Sequence, residues 1–323
     1  MNPRLAKVAR WVIALVAVGL LVSLVDLGSI GTRLAGTDLR LAIPAVIGLV
    51  VVHVVPAAAW RRLLHELAGV SLEWGRTLRL YYAAQVLGTV TPANVGADVY
   101  RVLAIGGDPG RAQLAQPVLV QRLTSVIALA CLGVVGGVLL PIAGLGPFLL
   151  LAAVIGTVLA VLTVAFLGSA RDGGWVGRIG RRLGWTGAAA TGRERLRSAV
   201  RDGLGLGLIF HGISLVLGLV LVLSVDGQAS ARAWPVLGAL AVARLSLAVP
   251  ISPNGLGIQE GLLALLFVQL GLPADAAVAA ALLNRLGFLL TAAVGAALLL
   301  SPSQTGGAPI ARSTRPSRPS VGG

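Results

Sequence analysis

The chain has 323 residues, of which 56% are hydrophobic and 12% are charged, whereas about a quarter of the residues of a soluble domain are charged. Several apolar runs reach about 20 residues, the length at which an α-helix spans about 30 Å of hydrocarbon, and they are apolar on every face, which excludes a membrane β-barrel. The net charge of +14 does not indicate nucleic-acid binding, because no basic segment is interleaved with aromatic side chains on which bases could stack. We therefore predict an all-α, polytopic helical membrane protein.

The chain begins with basic residues that precede the apolar residues 11–25. This pattern is shared by signal peptides and first membrane spans. Because no small-x-small cleavage site follows, an uncleaved span with a cytoplasmic N-terminus is favoured. Residues 41–60 form the second predicted span and return the chain to a basic stretch, which indicates the cytoplasmic side. The arginines of that stretch are Arg61, Arg62, Arg76 and Arg79.

Two further spans, residues 118–140 and 147–167, are predicted on either side of a short turn. The polar residues 168–203 follow them and are rich in arginine, so we place them in the cytoplasm as a basic loop. Residues 204–225 form the next predicted span and residues 276–300 the last.

The tail, residues 301–323, is basic and rich in Pro, Ser and Gly. This composition is typical of a disordered segment, and its charge places it in the cytoplasm. We therefore expect residues 1–300 to form one transmembrane domain with both termini cytoplasmic. The preference for Ala, Gly, Val and Arg is typical of a GC-rich bacterial genome, which indicates the inner membrane of a bacterial cell.

Two apolar segments, residues 78–105 and 234–272, are interrupted in the middle by Pro, Asn and Gly. If the first crossed the membrane once, every later loop would invert and the arginines of residues 168–203 would face outward, against the positive-inside rule. Each segment is therefore predicted to be a pair of short helices that enters and leaves on one side. The predicted architecture is about six full spans plus two broken, re-entrant hairpins.

The two breaks share an order of residue types. Each runs Pro, Asn, Gly and then a carboxylate, and an amide–arginine pair follows the carboxylate at nearly equal distance. We interpret this order as a duplication, with chance agreement as the alternative. Since the hairpins would open on opposite sides, the halves would be inverted repeats, an architecture that recurs in transporters. The first copy contains Pro92, Asn94, Gly96, Asp98 and Gln121-Arg122, and the second contains Pro253, Asn254, Gly255, Gly257, Glu260 and Asn284-Arg285.

The breaks predict a polar site inside the membrane. An interrupted helix exposes N–H and C=O groups that are costly in lipid, so each break must be buried in protein or line a wet cavity. The helix that restarts after a break presents N–H donors and partial positive charge, which suit a phosphate. We expect four arginines to add guanidinium donors for the same anion, oriented by Asp98 and Glu260. They are Arg101, Arg122, Arg244 and Arg285.

Most of these residues also have a purely structural interpretation. A carboxylate in the first turn of a helix is a common stabilising choice. Asp98 and Arg101 are an ordinary i,i+3 pair, and Arg122 and Arg285 would snorkel if they lay near the headgroups. Both interpretations stay open on the sequence alone.

Arg244 lies deep within an apolar run, where a charge costs at least about 2.5–3.5 kcal/mol on insertion scales. It therefore requires a partner or water, and we predict Glu260 as that partner. His53 and His211 also lie on apolar runs, and we interpret them as hydrogen-bonded core residues. Neither is at metal-ligand spacing and Cys131 is the single cysteine, so no metal or other cofactor is predicted.

These motifs resemble those of the lysylphosphatidylglycerol synthase transmembrane-region family, also called flippase-like membrane proteins. The likeness covers roughly residues 5–300, and its most specific element is Pro-Ile-Ser-Pro-x-Gly-x-Gly-x-x-Glu at residues 250–260. The other matching elements are residues 92–101 with Gly96, Asp98 and Arg101, and the runs Gln121-Arg122-Leu123 and Asn284-Arg285-Leu286.

The chain also departs from the family pattern. Relatives often have Glu where this chain has Gln121, and an acidic residue often stands at or near the position of Ser125. Synthase members carry a soluble aminoacyltransferase domain after the spans, whereas residues 301–323 are too few to build a core for catalysis. We therefore expect no aminoacyl transfer from this polypeptide.

The resemblance implies movement of an anionic or aminoacylated lipid between leaflets, and the charged breaks favour the same ligand chemistry. The leading hypothesis is a translocase for a phospholipid or a polyprenyl-phosphate-linked sugar. No nucleotide-binding loop is present in the sequence, so transport would be downhill or coupled to ions or protons, with Asp98 and Glu260 as candidate proton carriers. Two alternatives stay open: a scaffold, and an embedded enzyme or accessory subunit of lipid or envelope-glycan biosynthesis, working with a separate aminoacyltransferase or glycosyltransferase.

Overall fold

The computed structural model describes residues 27–91, 93–105, 111–138, 140, 193–248 and 252–301. In the first half the helices are α1 (Leu27–Ala35), α2 (Leu39–Val51), α3 (Val54–Leu63), α4 (Trp74–Thr89), α5 (Val95–Leu103) and α6 (Arg111–Val138). In the second half they are α7 (Arg193–Val225), α8 (Ala233–Leu245), α9 (Ile258–Gln269) and α10 (Ala274–Leu300). A π-helical turn, Leu64–Ala68, extends α3, and the 3₁₀ turns Gly227–Arg232 and Ser246–Ala248 flank α8.

Four helical stretches of the described chain are long and apolar enough to cross a membrane, and no more than half of the apolar window of each is buried inside the protein. They are Leu39–Ala68, Gln113–Val138, Glu194–Val225 and Ala274–Leu300. The all-α fold class is thereby confirmed. These helices coincide with the spans predicted at residues 41–60, 118–140, 204–225 and 276–300, and each has the length and composition of a span.

Other predictions fall outside the described residues. These are the spans at residues 11–25 and 147–167, most of the basic loop at residues 168–203, and the tail beyond Ser301. The total number of spans therefore stays a prediction.

Helix α2 shows why the exposed surface belongs in lipid. Leu39, Ile43, Ile47 and Val51 recur every four residues, so they share one face of the helix, and all four are exposed. The opposite face, which includes Ala45, is buried. An uninterrupted apolar stripe of this kind is a liability in water, whereas it costs nothing against acyl chains.

Helix α7 begins at Arg193, before the predicted start at residue 204, so the end of the predicted basic loop is helical. Hydropathy marks only the apolar part of a helix, whereas the Arg, Glu and Leu residues that precede it are strong helix formers. The polar extension makes a specific contact: Arg62 Nη2 lies 2.6 Å from Asp202 Oδ2. The end of α3 and the start of α7 therefore lie on the same side of the protein, which we call the Arg62 face.

The opposite side, which we call the Asp275 face, is defined by contacts at the other ends of the same helices. The Asp38 N–H donates to the Ser224 carbonyl at 2.8 Å, which joins the start of α2 to the end of α7. Arg33 Nε lies 2.7 Å from Asp275 Oδ2, which joins α1 to the start of α10. Helix α10 returns to the Arg62 face, where the Ser301 carbonyl accepts a hydrogen bond from Arg79 at the start of α4.

The two broken segments return to the side from which they enter, on opposite faces of the protein. The Arg76 guanidinium, at the start of α4, donates to the Ile105 carbonyl after α5 at 2.7 Å, on the Arg62 face. The Arg232 guanidinium, before α8, lies against Gly271 after α9, and this end adjoins the Asp275 face. The described contacts thus have the geometry of two hairpins of inverted orientation.

The packing of the halves is reciprocal. Helix α4 of the first hairpin packs along α10, and α8 of the second hairpin packs along α6, its counterpart in the other half. Glycines permit both crossings: a Cβ at Gly295 would lie 2.0 Å from the Tyr82 carbonyl oxygen, and one at Gly238 would lie 2.3 Å from the Gly136 carbonyl oxygen. Small residues allow such close backbone approach in membrane helices.

Substitution at Gly295 tests this crossing. A methyl group there meets a backbone atom that has nowhere to move, so we expect Gly295→Ala to destabilise the protein by about 1–3 kcal/mol. Gly212→Ala is the matched control, because a Cβ at Gly212 in α7 meets nothing within 4 Å. The thermal unfolding midpoints of both variants are measured in detergent, and Gly295→Ala should have the lower one. Equal midpoints would contradict the close crossing of α4 and α10.

Candidate functional site

The first break lies between α4 and α5, where Thr91 organises the turn. Its Oγ1 donates to the Leu87 carbonyl and accepts from the Gly96 N–H, both at 2.8 Å. Ala93 and Asn94 follow with φ of 48° and 59°, in the left-handed region. A Cβ at Gly96 would lie 2.6 Å from the Leu87 carbonyl oxygen, so only glycine fits where α5 restarts against α4.

The second break precedes α9 and has a similar backbone. Asn254 and Gly255 have φ of 45° and 70°, and Gly257 has φ of 78°. The Glu260 carboxylate accepts a hydrogen bond from the Gly257 N–H at 2.7 Å, so it caps the restarted helix. Residues 92 and 249–251 of the two motifs lie outside the described residues.

The two breaks contact each other. The Asn254 N–H donates to the Thr91 carbonyl at 3.2 Å, which joins the halves at their interruptions. The consecutive left-handed residues are Ala93 and Asn94 in one break and Asn254 and Gly255 in the other. The structure therefore matches Ala93 with Asn254, whereas the sequence order Pro, Asn, Gly matched the two asparagines. Asparagine tolerates the left-handed region at either position, so its identity does not fix the alignment.

Each break is held by an arginine from a later helix. Arg122 of α6 donates to the Asp98 carboxylate and to the Ala93 carbonyl. Arg285 of α10 lies 3.2 Å from Glu260 Oε1. It also donates to the Asn254 carbonyl at 3.0 Å. We call these two arrangements of arginine, carboxylate and backbone carbonyl the first and second clamps.

The clamps have the same plan, but they differ in exposure. The side chains of Arg285 and Glu260 are 7% and 6% exposed, whereas those of Arg122 and Asp98 are 30% and 17% exposed. The first clamp is therefore the more accessible one.

Arg101 binds the carboxylate of the first clamp as a second arginine. It is buried, its Nη2 pairs with Asp98, and its Nη1 donates to Gln121 Oε1 at 2.6 Å. Its guanidinium carbon lies 5.6 Å from the centre of the Trp60 ring and 5.3 Å from that of the Tyr81 ring, which adds cation–π attraction. Arg101 therefore positions Asp98.

The residues at which the chain departs from the family pattern have partners of their own. Gln121 Nε2 donates to the Pro56 carbonyl at 2.6 Å, so the amide bridges Arg101 to the kinked span of α2 and α3. Ser125 Oγ lies 3.0 Å from His211 Nε2. The carboxylate that pairs with Arg122 is Asp98.

Arg244 is placed differently from the prediction. The proposed pairing with Glu260 is wrong, because Glu260 turns back to cap Gly257 and pairs with Arg285. Arg244 is 5% exposed, and its Nη2 donates to the Ser214 carbonyl at 3.1 Å. Within the described parts of the chain, no carboxylate forms an ion pair with it.

The remaining predicted residues shape the breaks without carrying charge. Asn94 packs its side-chain oxygen against Gly88, where a Cβ would lie 1.6 Å away. Gly255 packs against Leu247. Gly255 and Gly257 both have a positive φ, which glycine adopts without strain.

The structure thus brings ten of the eleven predicted residues to the two joined breaks. Those residues are Asn94, Gly96, Asp98, Arg101, Arg122, Asn254, Gly255, Gly257, Glu260 and Arg285. The eleventh, Arg244, lies on α8.

Sequence reasoning missed Thr91, Trp60 and Ser214. A threonine just before Pro-x-Asn is a signal for a turn, since its hydroxyl bonds nearby backbone groups. Trp60 and Ser214 carry no such signal, because they reach Arg101 and Arg244 from distant parts of the sequence.

The charges of the site do not balance. At the joined breaks three arginines, Arg101, Arg122 and Arg285, face two carboxylates, and Arg101 and Arg122 share Asp98. At the restarted helices, the Gly96 and Gly257 N–H groups are already bonded within the protein. Excess positive charge rather than free backbone donors therefore favours an anion. Among the described residues, no group of three or more metal-ligating side chains is present.

Comparison with known proteins identifies the family. No curated protein matches the chain in sequence. The family model described as the lysylphosphatidylglycerol synthase TM region matches residues 7–300, which is most of the chain and includes both breaks and both clamp arginines. The chain therefore belongs to the lysylphosphatidylglycerol synthase transmembrane-region family.

Proposed function

We propose that the protein moves a phosphate-bearing lipid, either anionic, aminoacylated or polyprenyl-phosphate-linked, between the two leaflets of the membrane. The observation that carries this proposal is the junction of the breaks, where Asn254 bonds to Thr91 between hairpins that open to opposite faces. Inverted repeats whose discontinuous helices meet near the midplane recur in transporters, because such a site can be opened to either side.

The charge of the junction supports an anionic ligand. Ionisable groups inside a membrane are costly and typically mark a substrate or ion pathway. Here the buried or half-buried arginines outnumber the carboxylates, so the junction carries net positive charge. The phosphate of a lipid headgroup would neutralise the excess positive charge, while the acyl chains of the lipid stayed in the hydrocarbon beside the spans.

The family name gives the class of lipid that the proposal includes. Lysylphosphatidylglycerol is an aminoacylated phospholipid, and unmodified phosphatidylglycerol and polyprenyl-phosphate-linked sugars share its phosphate chemistry. We propose transport rather than a covalent step for this chain, with a separate aminoacyltransferase or glycosyltransferase supplying the lipid. Asp98 and Glu260 are the candidate proton carriers if transport is coupled.

A flip assay in vesicles tests the proposal. The purified protein would be reconstituted with a trace of fluorescent phosphatidylglycerol, lysylphosphatidylglycerol, polyprenyl phosphate or phosphatidylcholine. A membrane-impermeant quencher then reports how much label reaches the outer leaflet. We expect the protein to make nearly all of at least one of the first three lipids accessible, against about half in protein-free vesicles, and to act more slowly on phosphatidylcholine.

Arg33→Gln is the matched control, because Arg33 is an exposed arginine away from both clamps. It should transport at the wild-type rate. The proposal would be overturned if folded wild-type protein accelerated none of phosphatidylglycerol, lysylphosphatidylglycerol and polyprenyl phosphate.

A further inference from the structure

A small cavity lies beside Arg244, apart from the two clamps. It is formed where α2, α7, α8 and α10 meet. The total empty space, including the mouth, is about 220 Å³, and the interior has room for one water-sized group. The lining residues are Leu49, His53, Phe210, Ser214, Arg244, Gly287 and Phe288.

The positive charge of this cavity is not neutralised by the described part of the chain. Arg244 is 5% exposed, and its guanidinium makes one hydrogen bond there, to the Ser214 carbonyl at 3.1 Å. Its guanidinium carbon lies 6.0 Å from the centre of the Phe288 ring. Both contacts are with neutral groups. By contrast, Arg101, Arg122 and Arg285 each pair with a carboxylate.

One wall of the cavity, with Leu49 and His53, comes from a bend in the first described span. Pro56 has no N–H to donate to the Val52 carbonyl, and the helix is interrupted at Val52 and His53 between α2 and α3. His53 is fixed at this bend, since its Nδ1 lies 2.8 Å from the Leu49 carbonyl and its ring centre lies 5.3 Å from that of Phe210. The His53 side of the cavity is therefore held in place by two contacts.

We infer that this cavity is an anion site in which the Arg244 guanidinium receives one negatively charged acceptor atom. A buried guanidinium without a carboxylate has a large unfavourable free energy, which an anion would reduce. The space admits a single phosphate oxygen, but it does not admit a whole headgroup. If the oxygen belongs to a lipid, the inference rests on the proposed function; if the anion is dissolved, the site stands independently of it.

Thermal unfolding of the full-length protein in detergent tests the site. Ligands that bind the folded state raise the unfolding midpoint as their concentration increases. Inorganic phosphate would be titrated against gluconate at constant ionic strength, and phosphatidylglycerol would be titrated in mixed micelles. We expect a saturable rise in the midpoint with at least one of these probes, which Arg244→Gln abolishes and Arg244→Lys partly retains.

A second variant covers the case in which Arg244→Gln does not fold. Leu49→Phe keeps the arginine and fills the cavity, so we expect it also to abolish the rise. The control is Arg33→Gln, whose exposed guanidinium is remote from the cavity and which should respond as the wild type does.

The outcomes answer two separate questions: whether the site binds an anion, and whether that anion is a dissolved ion or part of a lipid. A response to inorganic phosphate identifies a dissolved ion, whereas a response to phosphatidylglycerol alone identifies a lipid oxygen. The inference would be overturned if a response persisted fully in Leu49→Phe and in every folded Arg244 variant. It would also be overturned if the wild type responded to none of these probes. Lipid flip without an anion response would leave the proposed function standing, and an anion response without lipid flip would leave only the site.

Discussion

Replacing Glu260 by Gln is expected to destabilise the protein by about 3–5 kcal/mol, because the change leaves a buried arginine without its carboxylate. The side chains of Arg285 and Glu260 are almost fully buried, and the pair is 3.2 Å apart. Glu260 also accepts the Gly257 N–H at 2.7 Å, so the substitution weakens the cap of α9 as well. Arg285→Gln should have a similar cost, since it leaves the buried carboxylate without its arginine.

The double variant separates the pair from the surrounding structure. Glu260→Gln with Arg285→Gln places two neutral amides in the same space, so we expect it to be less destabilising than the sum of the single changes. Unfolding in detergent, followed by a denaturant titration, measures the coupling free energy.

An exposed ion pair supplies the control. Asp275→Asn removes the partner of Arg33, whose side chain is 41% exposed, and it should change stability by no more than about 1 kcal/mol. If Glu260→Gln is no more harmful than Asp275→Asn, the second clamp does not hold its break in place.

The spans and the breaks could be predicted because their signals are local. A run of apolar residues long enough to cross the bilayer predicts a helix without reference to the rest of the chain, as the span Ala274–Leu300 shows. Single Pro and Gly residues lie within helices, as Pro117 and Gly295 do, whereas a cluster of Pro, Asn and Gly predicts an interruption, and α4 ends just before the first motif and α9 begins inside the second. The shared order of residues also predicted a repeat, whose reciprocal packing the structure shows.

The partners of the charged residues could not be predicted in the same way. Arg244 and Glu260 are close in sequence, which suggested a pair, but the turn at Gly257 directs the carboxylate to Arg285 on α10. Arg244 donates instead to the Ser214 carbonyl of α7, and a backbone carbonyl acceptor cannot be recognised from sequence because every residue has one. The early start of α7 at Arg193 was missed because polar helix formers lack the hydropathy by which spans are recognised.

We expect the second clamp to contribute mainly to stability and the first clamp mainly to the proposed transport. The second clamp is sealed inside the protein, so its loss mainly affects folding. The first clamp is partly exposed, and its carboxylate has two arginines, so Asp98 keeps Arg101 when Arg122 is lost. Variation at Arg122 therefore tests transport with the least disturbance of the fold.

Arg122→Gln is expected to slow lipid flip roughly tenfold, which corresponds to about 1.4 kcal/mol in the barrier, while stability changes by less than about 1 kcal/mol. The variant removes an accessible positive charge and releases the Ala93 carbonyl, which frees the first break from α6. Arg122→Lys keeps the charge but cannot bind the carboxylate and the carbonyl with one planar fork, so an intermediate rate is expected. Vesicle flip rates and unfolding midpoints, measured on the same preparations, provide the test. Wild-type transport by Arg122→Gln would remove the first clamp from the lipid pathway, and a large loss of stability would make it a structural element like the second.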